Sequence, residues 1–252
     1  MSRERRSQIH TLVQERDYIS VKELSEILFV SEPTIRRDLT ILEQEGVLQR
    51  RHGGAVSIHP DQIQTPYVFR TSENTKEKKK IASLAKKLIR SGDHIFIDSS
   101  STSYYLAQAI DADLMLHVLT HSFFIANTLA QSNNKEVEVA CGRYNARYGG
   151  VYSIDACNYI KNHYADYCFF SCNGVDVNQG ITNLHKMDAE IIRTYHQHSK
   201  KTVCLVDHTK LNQKFYEKIF DLSEIDILVT DCALPDELDN YCNFNDIEVI
   251  YE

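Results

Sequence analysis

Val30-Ser31-Glu32-Pro33-Thr34-Ile35-Arg36-Arg37-Asp38-Leu39 reads as the opening turns of a helix. Ser31 is placed to cap it, and Glu32 and Pro33 suit a first turn that tolerates proline and favours an acid near its unpaired amides. Ile35, Leu39 and Leu42 recur at three- and four-residue steps and predict one buried face. Thr34, Arg36, Arg37 and Thr40 then look outward, which suits a helix laid in a DNA major groove, where arginines meet guanine edges and phosphates. Taken alone, such a helix is more often an ordinary amphipathic surface helix, so the reading depends on its neighbours.

Those neighbours predict a winged helix-turn-helix. Residues 3–16 carry Ile9, Leu12 and Val13 on one stripe, and Ser20-Val21-Lys22-Glu23 has the form of a capping box that starts a second helix burying Leu24 and Leu28. Phe29-Val30-Ser31 is the tight turn into the third helix, which Gly46 ends. Residues 47–56, with Arg50-Arg51-His52-Gly53-Gly54-Ala55 at their centre, read as two short strands around a basic, glycine-containing turn. A ribbon bearing Arg50, Arg51 and His52 would reach phosphates or the minor groove while the third helix occupies the major one.

Charge and composition fit two units of different character. Of the net charge of −7, none falls in residues 1–59, which hold nine basic and nine acidic side chains; the excess acid lies entirely in the rest. A neutral unit binds DNA when its basic groups share a face, and dimerisation over two half-sites adds to a modest affinity per copy. The hydrophobic share of 42% is enough for a core, and no run reaches the roughly 18–20 apolar residues of a membrane span. An apolar signal region is missing from the N-terminus, so a cytoplasmic protein with no membrane partner is expected. Seven cysteines, all beyond residue 140 and without a CxxC pair, read as reduced core thiols rather than a zinc cluster or disulfide framework.

Residues 59–73, polar and containing Pro60 and Pro66, read as a linker between a unit at 1–58 and another at 74–252. Ile81, Leu84, Ala85, Leu88 and Ile89 predict an amphipathic helix ending near Ser91-Gly92. Strands are predicted at 94–98, 116–120, 136–141, 167–172, 202–207, 227–230 and 248–251, with helices near 103–110, 123–131, 153–163, 187–198 and 237–241. Short apolar runs separated by helices require a mainly parallel sheet covered on both faces. Asp98, Thr120, Gly142, Asn173-Gly174 and Asp207 each follow an apolar strand, at the carboxyl edge where such sheets bind ligands. Asp98-Ser99-Ser100-Ser101-Thr102-Ser103 leads into a helix, which either forms a phosphate seat or merely caps that helix; the residues alone leave the two readings level.

Both halves resemble the DeoR family of bacterial transcription regulators. In the first half the resemblance rests on Thr34-Ile35-Arg36-Arg37-Asp38-Leu39, Leu42-Glu43 and Arg51-His52-Gly53-Gly54-Ala55. In the second, Asp98-Ser99-Ser100-Ser101-Thr102 is similar to the family's D-x-G-[ST]-T loop, Thr120-His121-Ser122 to T-N-S, and Gly142-Arg143-Tyr144 to G-G-x. Gly174-Val175-Asp176 with Gly180-Ile181-Thr182 and Asp207-His208-Thr209-Lys210 match two further motifs. The resemblance implies an α/β protein: an N-terminal winged helix-turn-helix plus a mainly parallel sensor domain that folds like sugar-phosphate isomerases. It implies operator DNA held by Ser31, Thr34, Arg36, Arg37, Thr40, Arg50, Arg51 and His52, with Asp38 orienting an arginine or capping locally. It also implies a phosphorylated sugar or related effector, with Ser99 to Ser103 at the phosphate, Lys210 as a cation, and Asp98, Asp176 and Asp207 for polar orientation. Thr120, His121, Gly142, Arg143 and Gly174 complete the expected effector site. Ser100, His121 and Arg143 depart from the family pattern, each adding bulk or charge, and Arg143 offers a bidentate phosphate clamp.

The expected protein is a repressor of a carbohydrate operon, a dimer or tetramer, with no cofactor, metal or catalytic residue. Ligand binding at the sheet edge would alter packing in the oligomer and so the spacing of paired recognition helices. Two other classes stay open, an isomerase-type enzyme fused to a DNA-binding domain and a constitutive DNA-binding oligomer. His185, Asp188, His196 and His198 lack convincing metal-ligand spacing and read as solvated helix residues, and Lys76-Glu77-Lys78-Lys79-Lys80 as the solvated face of its helix. Residues 143–150 read as a pocket-covering loop. Glu190 with Lys210 is an imaginable acid/base pair, but binding without turnover is favoured.

Overall fold

A computed structural model describes residues 2–58 and 66–252 and divides the chain into two compact units, Met1–Glu73 and Asn74–Glu252. In the first unit the chain runs α1 (Ser2–Arg16), β1 (Tyr18–Ser20), α2 (Val21–Leu28), α3 (Glu32–Gln44), β2 (Leu48–Arg51), β3 (Gly54–Ser57) and α4 (Tyr67–Arg70). Helix α2 begins with the expected capping box, Ser20 accepting from the Glu23 amide and Glu23 accepting from the Ser20 amide. Ile9, Val13, Ile19, Leu24, Ile35, Leu39, Leu42 and Leu48 are all buried in one cluster, so the helical stripes read from the sequence meet.

The wing gains a third strand. β1 pairs with β3 antiparallel, Ile19 opposite Ala55, and β3 pairs with β2, Arg50 opposite Ala55. Three residues are too few for alternation to announce β1, and its partner lies more than thirty residues away. The two wing glycines have different tasks. Gly53 takes φ +74° in the turn, a conformation that costs other residues, whereas a Cβ on Gly54 would stand 2.3 Å from the Ile19 carbonyl oxygen.

Part of the expected linker, residues 59–65, lies outside the described residues. Residues 66–73 are not a bare connector: Tyr67 and Phe69 are buried, and Phe69 joins the core of the winged helix. Two apolar side chains separated by one residue were too few to reveal this from periodicity.

Asp38 is buried in α3 and accepts a 2.6 Å hydrogen bond from Arg5 Nε of α1. This charged bond fixes how α3 sits against α1, and with it the direction in which Arg36 and Arg37 project.

The second unit continues with α5 (Thr75–Ala85), β4 (His94–Ile97), α6 (Ser101–Ala109), β5 (Leu116–Thr120), α7 (Phe123–Leu129), β6 (Lys135–Val139), β7 (Tyr144–Asn145), β8 (Gly150–Val151), α8 (Ile154–Ile160) and β9 (Ala165–Phe170). It ends with β10 (Gly174–Asp176), β11 (Gly180–Asn183), α9 (Lys186–Gln197), β12 (Ser199–Val206), β13 (Glu217–Phe220), β14 (Ile227–Thr230), α10 (Asp236–Phe244) and β15 (Glu248–Ile250). The seven strands predicted from apolar runs form one parallel sheet in the order β15-β14-β12-β9-β4-β5-β6. Their side chains alternate between faces. Ile95, Ile97, Phe169, Val203 and Leu205 pack with Ile81, Leu84, Leu106 and Ile125 of α5, α6 and α7. Phe96 and Cys168 turn the other way, toward Ile160 and Ile191 of α8 and α9, as do Phe170 and Cys204 toward Ile192 of α9 and Leu238 of α10.

From β4 the chain moves outward to β5 and β6, then returns to β9 on the other side of β4. Beyond β4 and β9 it departs in opposite directions, which leaves a crevice at their carboxyl ends. A small antiparallel sheet, β10-β11-β13, and the β7-β8 hairpin add structure on strands of two to four residues that the apolar pattern did not reveal.

Helix α5 corrects one expectation. Lys78 is buried rather than solvated, and Lys80 Nζ donates to the Asp231 carbonyl at 3.0 Å and to that of Glu252. The charge run had marked a helix but not which of its lysines the sheet side takes up.

Replacing Asp38 with alanine is expected to lower the stability of the winged-helix unit by about 1.5–3 kcal/mol, the range for a hydrogen bond to a charged group. Chemical denaturation followed by circular dichroism measures it; a midpoint within error of wild type would remove the Arg5–Asp38 bond from the forces holding α3.

Candidate functional site

Two surfaces carry the residues that the sequence singled out. On the first unit, Arg36 and Arg37 are exposed on α3, while Thr34 and Thr40 are half-buried beside them. Ser31 holds the N-cap position with extended backbone, but its hydroxyl makes no capping bond and instead lies 3.0 Å from the Thr34 hydroxyl. Arg36 pairs with Glu32 at 3.2 Å, one turn back on the helix. Arg37 has no hydrogen-bond or ion-pair partner among the described residues. From the wing, Arg50 Nη1 donates to Thr40 Oγ1 at 2.8 Å, and the Arg50 amide donates to Glu43 Oε1 at 2.9 Å. These bonds join wing and helix into one basic surface. Arg51 and His52 are exposed near its turn, which Tyr18 braces by donating to the His52 carbonyl at 3.3 Å.

The second surface lies at the carboxyl ends of β4, β5 and β9. Asp98 is 1% exposed and accepts from the Ser100 amide (3.2 Å), the Ser100 hydroxyl (2.8 Å) and the Ser171 amide (3.1 Å). Burial pushes its carboxyl above the usual range and the nearby Asp188 charge adds to this, against the opposing effect of Ser103, Ser171 and His121. Ser100 caps α6, accepting from the Ser103 amide at 3.1 Å. Ser101, Thr102 and Ser103 are buried in the first turn, and Thr102 Oγ1 has no hydrogen-bond partner among the described residues. Ser99 is buried with its hydroxyl 2.6 Å from that of Tyr152.

Around this loop stand groups from distant segments. Thr120 accepts from the Ser122 amide at 3.1 Å and so shapes the turn that carries His121. His121 is fully buried, with Nδ1 3.1 Å from the Tyr195 hydroxyl and Nε2 3.6 Å from Asp188 Oδ1. The other Asp188 oxygen accepts from Asn183 Nδ2 at 2.9 Å. Tyr152 stands edge-on to both His121 and His185, with ring centroids 5.5 and 5.0 Å apart. Lys210 Nζ donates to Ser171 Oγ at 2.8 Å. Asp207 is buried, and although burial alone would raise its carboxyl, Lys210, Thr209 and Lys78 outweigh that effect and hold it below the usual range.

Other expected residues have local tasks. Asp176 Oδ1 accepts from the amides of Asn178 and Gln179, both at 2.9 Å, and so closes the β10-β11 turn. A Cβ on Gly174 would stand 2.3 Å from the Gln213 carbonyl oxygen, and one on Gly142 would stand 2.0 Å from Ser153 Oγ; both positions serve close packing. Arg143 is exposed and its side chain has no partner among the described residues. Glu190 pairs with Arg193 at 2.8 Å.

Tyr152, Ser171, Asn183, His185, Asp188 and Tyr195 join the cluster without having been selected from the sequence. Ser171 sits at the carboxyl end of β9, so the edge rule applied strictly would have found it. Asp188 and His185 correct the solvated-helix reading: Asp188 is 7% exposed, and the His185 ring is half-buried against Tyr148 and Tyr152.

Among the described residues no helix is long and apolar enough to cross a membrane. A family model described as "DeoR-like helix-turn-helix domain" matches residues 5–61, and one described as "DeoR C terminal sensor domain" matches residues 73–232. The chain is 33% identical to the HTH-type transcriptional regulator GolR of Listeria innocua, over 96% of this chain and 95% of that one. It is also 33% identical to the L-fucose operon activator of Haemophilus influenzae and 28% identical to the glycerol-3-phosphate regulon repressor of Escherichia coli, over 92% of each chain in both cases. A solved ribose 5-phosphate isomerase from Methanocaldococcus jannaschii is 16% identical over 55% of each chain, with a TM-score of 0.41, a distant likeness. With both family models matched in order and the relatives aligned over nearly their whole length, the chain belongs to the DeoR family and is a DNA-binding transcription regulator.

Proposed function

We propose that this regulator represses a carbohydrate-utilisation operon and is released from its operator by a phosphorylated sugar or related phosphate ester bound at the N-terminus of α6. The observation that carries the effector reading is the Ser99–Ser103 loop. At the switch point of the sheet it sets a helix N-terminus, a buried Thr102 hydroxyl with no partner among the described residues, and the Lys210 ammonium bonded to Ser171 beside it. Free amides, hydroxyls and a cation are what a phosphoryl group requires. The relatives named for a fucose operon and a glycerol-3-phosphate regulon support that class of effector, and one of them is an activator, so the sign of regulation is part of the proposal.

Binding without turnover is favoured because the carboxylates at the two strand ends beside the phosphate loop and Lys210 are already engaged: Asp98 with Ser100 and Ser171, Asp207 with Thr209. On the DNA side the exposed Arg36, Arg37, Arg50, Arg51 and His52, with the half-buried Thr34 beside them, supply the operator contacts. The protein acts as a homo-oligomer, because one neutral winged helix makes too few contacts to hold an operator alone.

Incubation with a panel of sugar phosphates tests the effector reading. An ester present at a hundred times its dissociation constant is expected to add about 2.7 kcal/mol of stability, read as a thermal shift, with no product formed; turnover would favour an enzyme, and neither response a scaffold. Lys210→Ala is expected to abolish the effector response while operator affinity stays at the wild-type value; an unaltered effector midpoint in a release assay would remove Lys210 from the site. Arg37→Ala is expected to weaken operator binding by about 1–3 kcal/mol if the arginine reads a base. A gel-shift titration at fixed salt measures this, and wild-type affinity would show that α3 is not the reading helix.

A further inference from the structure

We propose that His121 and Asp188 form a seat for a single hydroxyl group, so that the effector is a polyhydroxylated phosphate ester recognised by one of its neutral alcohols as well as by its phosphate. This rests on the effector reading above and narrows it.

Tyr195 is fully buried, and burial together with neighbouring acidic groups pushes its hydroxyl well above the usual phenol range, so it keeps its proton. It lies 3.1 Å from His121 Nδ1. If His121 Nδ1 carried the imidazole proton, the Tyr195 proton would have no acceptor, and the Nε2 lone pair would face the Asp188 carboxylate. Both costs vanish when Tyr195 donates to Nδ1 and Nε2 carries the N–H. Nε2 lies 3.6 Å from Asp188 Oδ1, too far for a hydrogen bond. Both atoms are buried, and neither has a hydrogen-bond partner among the described residues. Asp188 is held in place by the buried Asn183 amide on its other oxygen, so swinging the carboxylate onto the imidazole would leave that amide unpaired.

A buried donor and a buried acceptor side by side call for a group that accepts from one and donates to the other. An alcohol does this with a single oxygen. A carbonyl offers Asp188 nothing, an ammonium offers His121 nothing, and a phosphoryl group is repelled by the carboxylate. The Tyr152 and His185 rings beside the seat offer apolar surface to the C–H faces of a sugar or polyol.

The seat is within reach of the phosphate loop. A Cβ built on Gly150 would stand 2.9 Å from Ser99 Cβ and 3.1 Å from His121 Cδ2, so the two residues flank one point of the backbone. Tyr152, edge-on to His121, has its hydroxyl 2.6 Å from that of Ser99 and so links the seat to the loop.

Calorimetric titration of the full chain tests this with glucose 6-phosphate and its 2-, 3- and 4-deoxy analogues, and with glycerol 3-phosphate against dihydroxyacetone phosphate. Within whichever series binds, one deoxy or keto replacement is expected to weaken affinity by at least about tenfold, because it leaves buried polar groups unpaired. Asp188→Asn is expected to remove most of that difference. In the ligand-free chain, nitrogen NMR of His121 is expected to show the proton on Nε2 and Nδ1 accepting from Tyr195, a readout that needs neither a ligand nor a variant. Esters that bind with no dependence on any hydroxyl, or with a dependence unchanged in Asp188→Asn, would overturn the seat alone, as would an Nδ1–H tautomer or an imidazolium. If no ester of either series binds, the effector reading falls and the seat with it.

Discussion

The sensor half of the molecule depends on the carboxylate of Asp98. At the end of β4 it accepts from its own loop through Ser100 and from the end of β9 through the Ser171 amide. Those are the two strands between which the sheet changes direction, so one buried side chain ties the mouth of the crevice together from both sides. The geometry of α6 follows, because Ser100 is at once the Asp98 partner and the cap that accepts from the Ser103 amide. Burial works against the ionised form of such a group. The bonds it accepts offset only part of that cost, and they also determine where the first turn of α6 points.

The DNA-binding half uses the same device on a smaller scale. Asp38 carries the acid in the middle of an arginine-rich helix, and its position among Arg36, Arg37 and Thr40 makes it look like part of the exposed surface. It is instead drawn inward to Arg5, and this inward charge pair leaves Arg37 free and Arg36 held only by an exposed partner one turn away. The wing is tied to the same helix by Arg50. Helix and wing therefore present one surface rather than two.

Much of the fold was legible because the relevant forces are periodic. A helix that buries one face repeats its apolar residues near 3.6, and α2, α3 and α5 showed that repeat. A parallel strand covered on both sides is a short apolar run, as the central strands β4, β9, β12 and β14 show, while β6 at the edge alternates charged and apolar residues. The strands of β1, the β7-β8 hairpin and the β10-β11-β13 sheet are two to four residues long and lack the sustained apolar run that marked β4 and β14, so they were out of reach. The edge rule led to Asp98 and Asp207 because strand ends are themselves sequence features. It did not identify Tyr152, Asp188 or Tyr195, which meet His121 from the end of the β7-β8 hairpin and from two turns of α9.

By itself the sequence determined the order of units, helix α3 with its exposed arginines, the parallel sheet and the loop at its switch point, since each follows from local patterns of burial and capping. Only the tertiary structure decided which polar groups are buried and what they face. Lys78 and Asp188 read as solvated when judged by their neighbours in the chain, and both are buried by residues far from them in sequence. The physical reason is that burial belongs to the packed neighbourhood, and a polar side chain reveals its task only once the partners that satisfy it, or fail to, have been assembled around it.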